Sequence, residues 1–217
     1  MSDIKISETR AQAQVRFATL GPSGTNHELV TKRYLAARGV DEYEIKLIPS
    51  FRDAIAMIRT GEVDFIMQCA VHPATPETLG ENFRDVFAID CFISDSQELA
   101  VLTRVEVERP NSIGALLPAN EKYTDLSKWT MVVSYPSLPY VFDALMNGEI
   151  DSGLVYKAYA DKHPDKLRVD EVLGSPDDVW IVYGRERAYA GEVIGFGDDA
   201  FSKSVDRLAA SRAPAEA

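Results

Sequence analysis

The chain has 217 residues, 46% of them hydrophobic and 26% charged, enough to bury a core as one moderate domain or two small lobes. With 34 acidic against 23 basic residues and a net charge of −11, it offers no basic stripe to nucleic acid and gains nothing from an anionic membrane surface. A small anion is still an eligible ligand, because local donors in a cleft suffice for it.

Residues 1–14 are polar and mixed in charge, with no apolar h-region, so neither a signal peptide nor a membrane span is expected and the placement is cytoplasmic. The stretch VRFATL at Val15–Leu20 predicts a buried strand, followed by the loop GPSGTNHE at 21–28. Leu29, Leu35 and Ala36 then fall at helix spacing over residues 28–38, with Gly39 as the stop. Residues 44–49 alternate as a second strand. Phe51, Ile55 and Ile58 predict a short amphipathic helix with Ser50 as N-cap and Gly61 as terminator, and VDFIMQC at 63–69 a third strand. Strand–helix alternation of this kind signals a parallel sheet with covering helices.

Residues 87–104 lie between two halves, with ELAVLT at 98–103 expected as a connecting strand. In the second half, TMVVS at 130–134 predicts a strand, with Trp129 packing at its start. Leu138, Val141, Phe142, Leu145 and Met146 trace a helix face, and Ser152–Tyr156 predicts another strand. TGEVD at 60–64 and NGEID at 147–151 occupy the same slot between helix and strand, which points to two related lobes. Residues 168–172 and 179–183 read as late strands that complete the first lobe. The expected organisation is a flexible segment 1–14, a first lobe 15–100, a second lobe 101–165, a return to the first lobe with a C-terminal segment over 166–208, and a frayed tail 209–217. Two crossings make a hinge, and the cleft between the lobes is the default ligand site.

The loop between the first strand and helix suits an anion, since glycines allow a sharp turn and the helix start presents free N–H groups. Ser23, Gly24, Thr25 and Asn26 are its candidate binding residues, and a capped turn with no ligand is the competing reading. Ser134 and Ser137 stand at the matching place in the second half, where Ser137 also serves as a natural N-cap. His27 in the loop and His72 after the third strand are either structural or proton donors near neutral pH. His163 has no assigned role. No histidine pair or carboxylate cluster has metal spacing, so neither a metal nor a cofactor is expected. Cys69 and Cys91 lack a CxxC pattern and read as buried reduced thiols. Trp180 reads as a core residue of a late strand.

The run TLGPSGTNHE resembles the opening of the prephenate dehydratases, whose hallmark is a Gly-Pro-x-Gly-Thr loop after the first strand. Residues 51–81, the segment 134–138 and VYKAYADKHPDKLRV are similar to later parts of that family, and together the likeness covers roughly residues 15–185. It implies an α/β two-lobed fold of the periplasmic-binding-protein type 2 kind. Two features depart from the dehydratases. Their Thr-Arg-Phe triplet is absent from residues 178–182 (DVWIV), and CAVHP at 69–73 replaces their cleft loop. The prephenate decarboxylases of bacilysin-type antibiotic biosynthesis resemble the chain more closely, through LGPxGTxxE at 20–28, His72, VSxPS at 133–137 and Trp180, although Tyr135 stands where a His is common.

That resemblance implies cofactor-free decarboxylation of prephenate or a related cyclic carboxylate, without aromatisation. Ser23, Thr25 and Ser137 would bind carboxylate oxygens, His27 or His72 would deliver the proton, and Trp180 would form an apolar wall. A cytosolic carboxylate sensor without catalysis and a divergent dehydratase-like lyase are the alternatives. The expected partner is a small anionic cyclic carboxylate, and a two-lobed chain of this size also suits a homodimer.

Overall fold

The computed structural model describes residues 14–188 and 191. In chain order the elements are β1 (Val15–Leu20), α1 (Asn26–Ala37), β2 (Tyr43–Ile48), α2 (Phe51–Thr60), β3 (Phe65–Cys69), α3 (Thr75–Asn82) and β4 (Phe87–Asp95). The chain then crosses to β5 (Leu99–Arg104), β6 (Ser112–Ala115), a 3-10 turn at Leu126–Lys128, β7 (Met131–Ser134), α4 (Leu138–Met146), β8 (Ser152–Tyr156), α5 (Ala158–Lys162) and β9 (Leu167–Gly174). It returns as β10 (Asp177–Gly184). The two sheets run β2-β1-β3-β10-β4 and β7-β6-β8-β5-β9.

These orders superimpose element by element. In each lobe three strands are parallel, and the strand that has crossed between lobes is inserted antiparallel beside the third of them. The repeated Gly-Glu-aliphatic-Asp motif marks equivalent points of both. Gly61 and Gly148 take left-handed backbone, φ 75° and 77°, to stop α2 and α4. Asp64 then accepts from the Arg16 backbone N–H at 3.0 Å and, as a fork, from its guanidinium at 3.1 and 2.8 Å. Asp151 accepts from the backbone of Asn111 and Ser112 at 2.9 and 3.1 Å and from Arg104 at 3.2 Å. In both lobes this carboxylate ties the last parallel strand to the start of the first.

Residues alternate across the pleat, so each sheet packs apolar side chains on both faces. Ile66 of β3 joins Phe51, Ala54, Ile55 and Ile58 of α2, whereas Met67 and Cys69 face Val30 and Leu35 of α1 together with Trp180. In the second lobe Val141, Ala144 and Leu145 of α4 pack on Ala100, Leu102 and Val155. Trp129 is buried just before β7, and its Nε1 donates to Ser152 Oγ at 3.1 Å.

Three expectations are corrected. Residues 168–172 do not complete the first lobe, because β9 pairs antiparallel with β5, so only β10 returns. The segment 98–103 is no mere connector: β5 is buried between β8 and β9 within the second sheet. Cys91 is exposed on the edge strand β4, while Cys69 is buried. The expected C-terminal segment beyond 191, the tail and residues 1–13 lie outside the described residues. Among those described, no helix is long and apolar enough to cross a membrane.

Gly114 and Gly80 test this packing in opposite directions. A Cβ on Gly114 of β6 would meet Ile150 Cδ1 at 2.5 Å, Tyr135 Cε2 at 2.9 Å and Val141 Cγ1 at 3.0 Å. Gly114→Ala should therefore lose about 1–3 kcal/mol in urea unfolding. Gly80 in α3 has nothing within 4 Å of a Cβ, and Gly80→Ala should gain about 1 kcal/mol from helix propensity. A loss at Gly80, or no loss at Gly114, would contradict this packing.

Candidate functional site

Two strand-to-strand crossings join the lobes, and they are bonded to one another. Ser96 N–H donates to Pro176 O at 2.9 Å, and Ser175 Oγ donates to Ser96 O. Ser96 Oγ in turn donates to Asp178. Residues of both lobes line a cleft of about 830 Å³, a size suited to a small-molecule ligand. Its first-lobe wall is built from Leu20, Pro22 and Ser23 before α1, from Pro49 to Arg52 at the start of α2, and from His72; the second lobe contributes Pro136, Ser137 and Tyr140 at the start of α4. Ser50 and Ser137 are equivalent N-caps of the two lobes facing one space.

Of the expected site residues, Ser23, His72 and Ser137 line this cleft. The two cap serines differ in a way that matters. Ser50 Oγ accepts from Asp53 N–H at 3.3 Å and donates to its carboxylate at 2.6 Å. Ser137 Oγ makes no cap bond and is buried without a partner. A shielded hydroxyl of this kind is costly to leave unpaired, and a ligand oxygen would satisfy it.

The loop at 21–28 is occupied by the protein's own anion. Glu28 Oε2 accepts from Ser23 Oγ and from Gly24 N–H, both at 2.7 Å, and Lys32 pairs with its other oxygen at 2.5 Å. Burial opposes the charge, but Lys32, the Gly24 N–H and the Ser23 hydroxyl outweigh it and hold the carboxyl below its usual range. Thr25 is the N-cap: Oγ1 accepts from Glu28 N–H at 3.5 Å and donates to Leu20 O at 3.1 Å. Asn26 Oδ1 accepts from Gln97 N–H in the hinge at 3.0 Å. Gly24, Thr25 and Asn26 thus build the turn and do not line the cleft; the capped-turn alternative describes them better than the anion-cradle one.

His27 and Trp180 sit one layer behind. Their rings meet edge-on at 5.1 Å, and Trp180 is 1% exposed, with its Nε1 unpartnered. His27 Nε2 accepts from Cys69 N–H at 3.5 Å, and burial together with the nearby His72 lowers its pKa to about 3. It is neutral at neutral pH, so it has no proton to give as an imidazolium. His72 differs: Nδ1 accepts from Ala74 N–H at 3.1 Å, which leaves Nε2 for a ligand, and partial burial lowers its pKa less. Phe51 packs its ring on both imidazoles, 4.9 Å from His72 and 5.8 Å from His27. It belongs to the site as an apolar wall; its place as first residue of α2 after the second strand, like Leu138 of α4, was the available signal. Ser134 is exposed at the end of β7, outside the cleft lining. Among the described residues no group of three or more His, Cys, Asp or Glu could hold a metal.

The depressed His27 pKa carries a stability prediction. The unfolded chain takes up the His27 proton near pH 6.5 and the folded one only near 3, so stability is full above 6.5 and falls as the pH drops through that window. Between pH 7 and pH 5 the loss from His27 is about 2 kcal/mol, from 1.36 kcal/mol per pKa unit. Urea unfolding of His27→Gln should lack that share of the decline; an unchanged decline would contradict a neutral buried His27.

Similarity to known proteins agrees with the geometry. No protein-family model matches the sequence, and no curated protein matches it either. Among solved structures, the prephenate dehydratase of Arthrobacter aurescens in complex with L-Phe superimposes with a TM-score of 0.61 at 17% identity, over 90% of this chain and 72% of that one. GqqA, described as a novel type of quorum quenching acylase, superimposes with a TM-score of 0.52 at 10% identity, over 84% of this chain and 67% of that one. The chain is an α/β protein with a two-lobed, periplasmic-binding-protein-like fold, similar to that of a prephenate dehydratase.

Proposed function

We propose that the chain is a cofactor-free lyase that decarboxylates prephenate or a related cyclic carboxylate without aromatising the ring. The observation that carries this reading is the cleft itself: it brings together Ser137, whose buried hydroxyl has no partner, and His72, whose Nδ1 is already engaged, with the apolar Phe51, Leu20, Pro49 and Pro136. The hydroxyl and the α4 N-terminus would hold a carboxylate oxygen. The reacting carboxylate would lie against the apolar wall, where a charged group is disfavoured relative to neutral CO2.

In the step itself the bond from ring to carboxylate breaks, its electron pair enters the diene, and a proton adds at a distal ring carbon while the ring hydroxyl stays. His72 is the proposed donor, in place of the two-histidine choice made from sequence. A bound carboxylate favours its imidazolium and offsets the burial that lowers its pKa. His27, Phe51 and Trp180 would fix the His72 ring from behind. Retention of the hydroxyl is consistent with DVWIV at 178–182, which lacks the Thr-Arg-Phe triplet expected of a dehydratase.

A binding protein without catalysis is the second reading, favoured by the lowered pKa of both imidazoles. The two structural neighbours carry different descriptions, a dehydratase and an acylase, and a shared fold does not fix chemistry.

Incubation with prephenate, following ultraviolet absorbance and CO2 together, separates these readings. CO2 release without an aromatic keto-acid is the expected result, and His72→Ala should slow it about 10²- to 10⁴-fold. Ser137→Ala should weaken apparent binding about tenfold, as for one hydrogen bond to a charged group. Thermal stabilisation without turnover, across a panel of cyclic carboxylates, would favour the binding protein; an aromatic keto-acid would identify a dehydratase.

A further inference from the structure

The first turn of α1 is held from both lobes. On its own side, His27 Nε2 accepts from the N–H of Cys69, the last residue of β3. From the other side, the hydroxyl of Tyr156, the last residue of β8, accepts from Asn26 N–H at 3.2 Å. β3 and β8 are equivalent strands of the two sheets, so neighbouring residues of one helix start are bonded by equivalent positions of opposite lobes. The hinge adds a third anchor, since Gln97 donates its backbone N–H to Asn26 Oδ1 at 3.0 Å and its side-chain amide to Gly24 O at 3.2 Å.

The phenol is stiffly placed. Tyr156 is 4% exposed, its ring lies 5.8 Å from that of Tyr159, and Tyr159 stacks on Phe142 at 3.9 Å. The Tyr159 hydroxyl lies 3.8 Å from where a Cβ on Gly24 would stand, an ordinary van der Waals separation across the lobes. Burial raises the Tyr156 pKa, which keeps it a neutral phenol over the whole working range.

We propose that Tyr156 is an inter-lobe latch: its hydroxyl, carried by the second lobe, grips the start of α1 in the first and sets the closure of the cleft. Closure is then held by the protein's own groups, with the hinge residue Gln97 as the fixed end and Tyr156 as the end that can let go. This assignment stands apart from the chemistry in the cleft and needs no ligand to test.

Amide exchange by NMR, with X-ray scattering on the same full-length samples, tests it. Tyr156→Phe keeps the ring and removes the acceptor. Exchange at Asn26 should accelerate about tenfold, as for one lost hydrogen bond, with the scattering distance distribution widening while amides inside β3 and β8 keep their protection. Tyr159→Phe, whose hydroxyl bonds nothing among the described residues, should leave both readouts unchanged, and Gln97→Ala, which keeps the backbone bond to Asn26 and removes only the amide bond to Gly24, should widen the distance distribution in the same direction as Tyr156→Phe. The proposal is overturned if Tyr156→Phe leaves Asn26 exchange and the distance distribution as in the wild type, if Tyr159→Phe matches its effect, or if Gln97→Ala opens the lobes and Tyr156→Phe does not.

Discussion

The carboxylate of Glu28 fills the loop that the sequence marks for an anion, and much of the molecule depends on that placement. A glycine-rich turn entering a helix leaves N–H groups that need an acceptor. Glu28 supplies it from within the helix, Thr25 caps the same turn, and Lys32 balances the charge one turn on. With its donors satisfied internally, the turn becomes a rigid fixture. Asn26 and His27 can then be read by the hinge, by β3 and by the opposite lobe at once.

The cleft consequently lies at the paired starts of α2 and α4, with Leu20, Pro22 and Ser23 before α1 still in its lining. The same logic recurs through the equivalence of the two lobes: Asp64 and Asp151 close the same strand ends, Gly61 and Gly148 stop the same helices, and Ser50 and Ser137 stand at the N-caps of helices that face one cleft. The symmetry is broken where function would need it. Ser50 is satisfied by Asp53 in its own first turn, whereas α4 has Tyr140 at the corresponding position and Ser137 is left without a partner. Cys69 at the end of β3 presents a backbone N–H, and Tyr156 at the end of β8 presents a phenol.

How much of this could be read from the residues follows from how local each signal is. The first lobe's β1-α1-β2-α2-β3 run, α4 and β8 were legible because their apolar periodicity and their stop glycines are local. The repeat of TGEVD and NGEID revealed two lobes correctly, since an Asp that ties strand ends must sit just before a strand. Sheet membership is not local. β5 and β9 carry the same apolar pattern whichever lobe they join, and only pairing reveals that β9 stays in the second. β6, four residues long and rich in small side chains, gives too short a pattern to stand out. At the site, residue type pointed to His72 and Ser137, and both line the cleft. It could not tell that Glu28, three positions after Thr25, would turn back into the loop, nor that Tyr156 would reach Asn26 across 130 positions of chain.

An NMR titration with prephenate, following backbone amides, tests the location of the site most directly. Shifts are expected at Phe51, Arg52, His72, Ser137 and Leu138, with the Gly24 amide staying where Glu28 holds it. A large shift at Gly24 with Ser137 and His72 unmoved would contradict this location, because it would mean that the ligand displaces Glu28 and binds at the α1 turn.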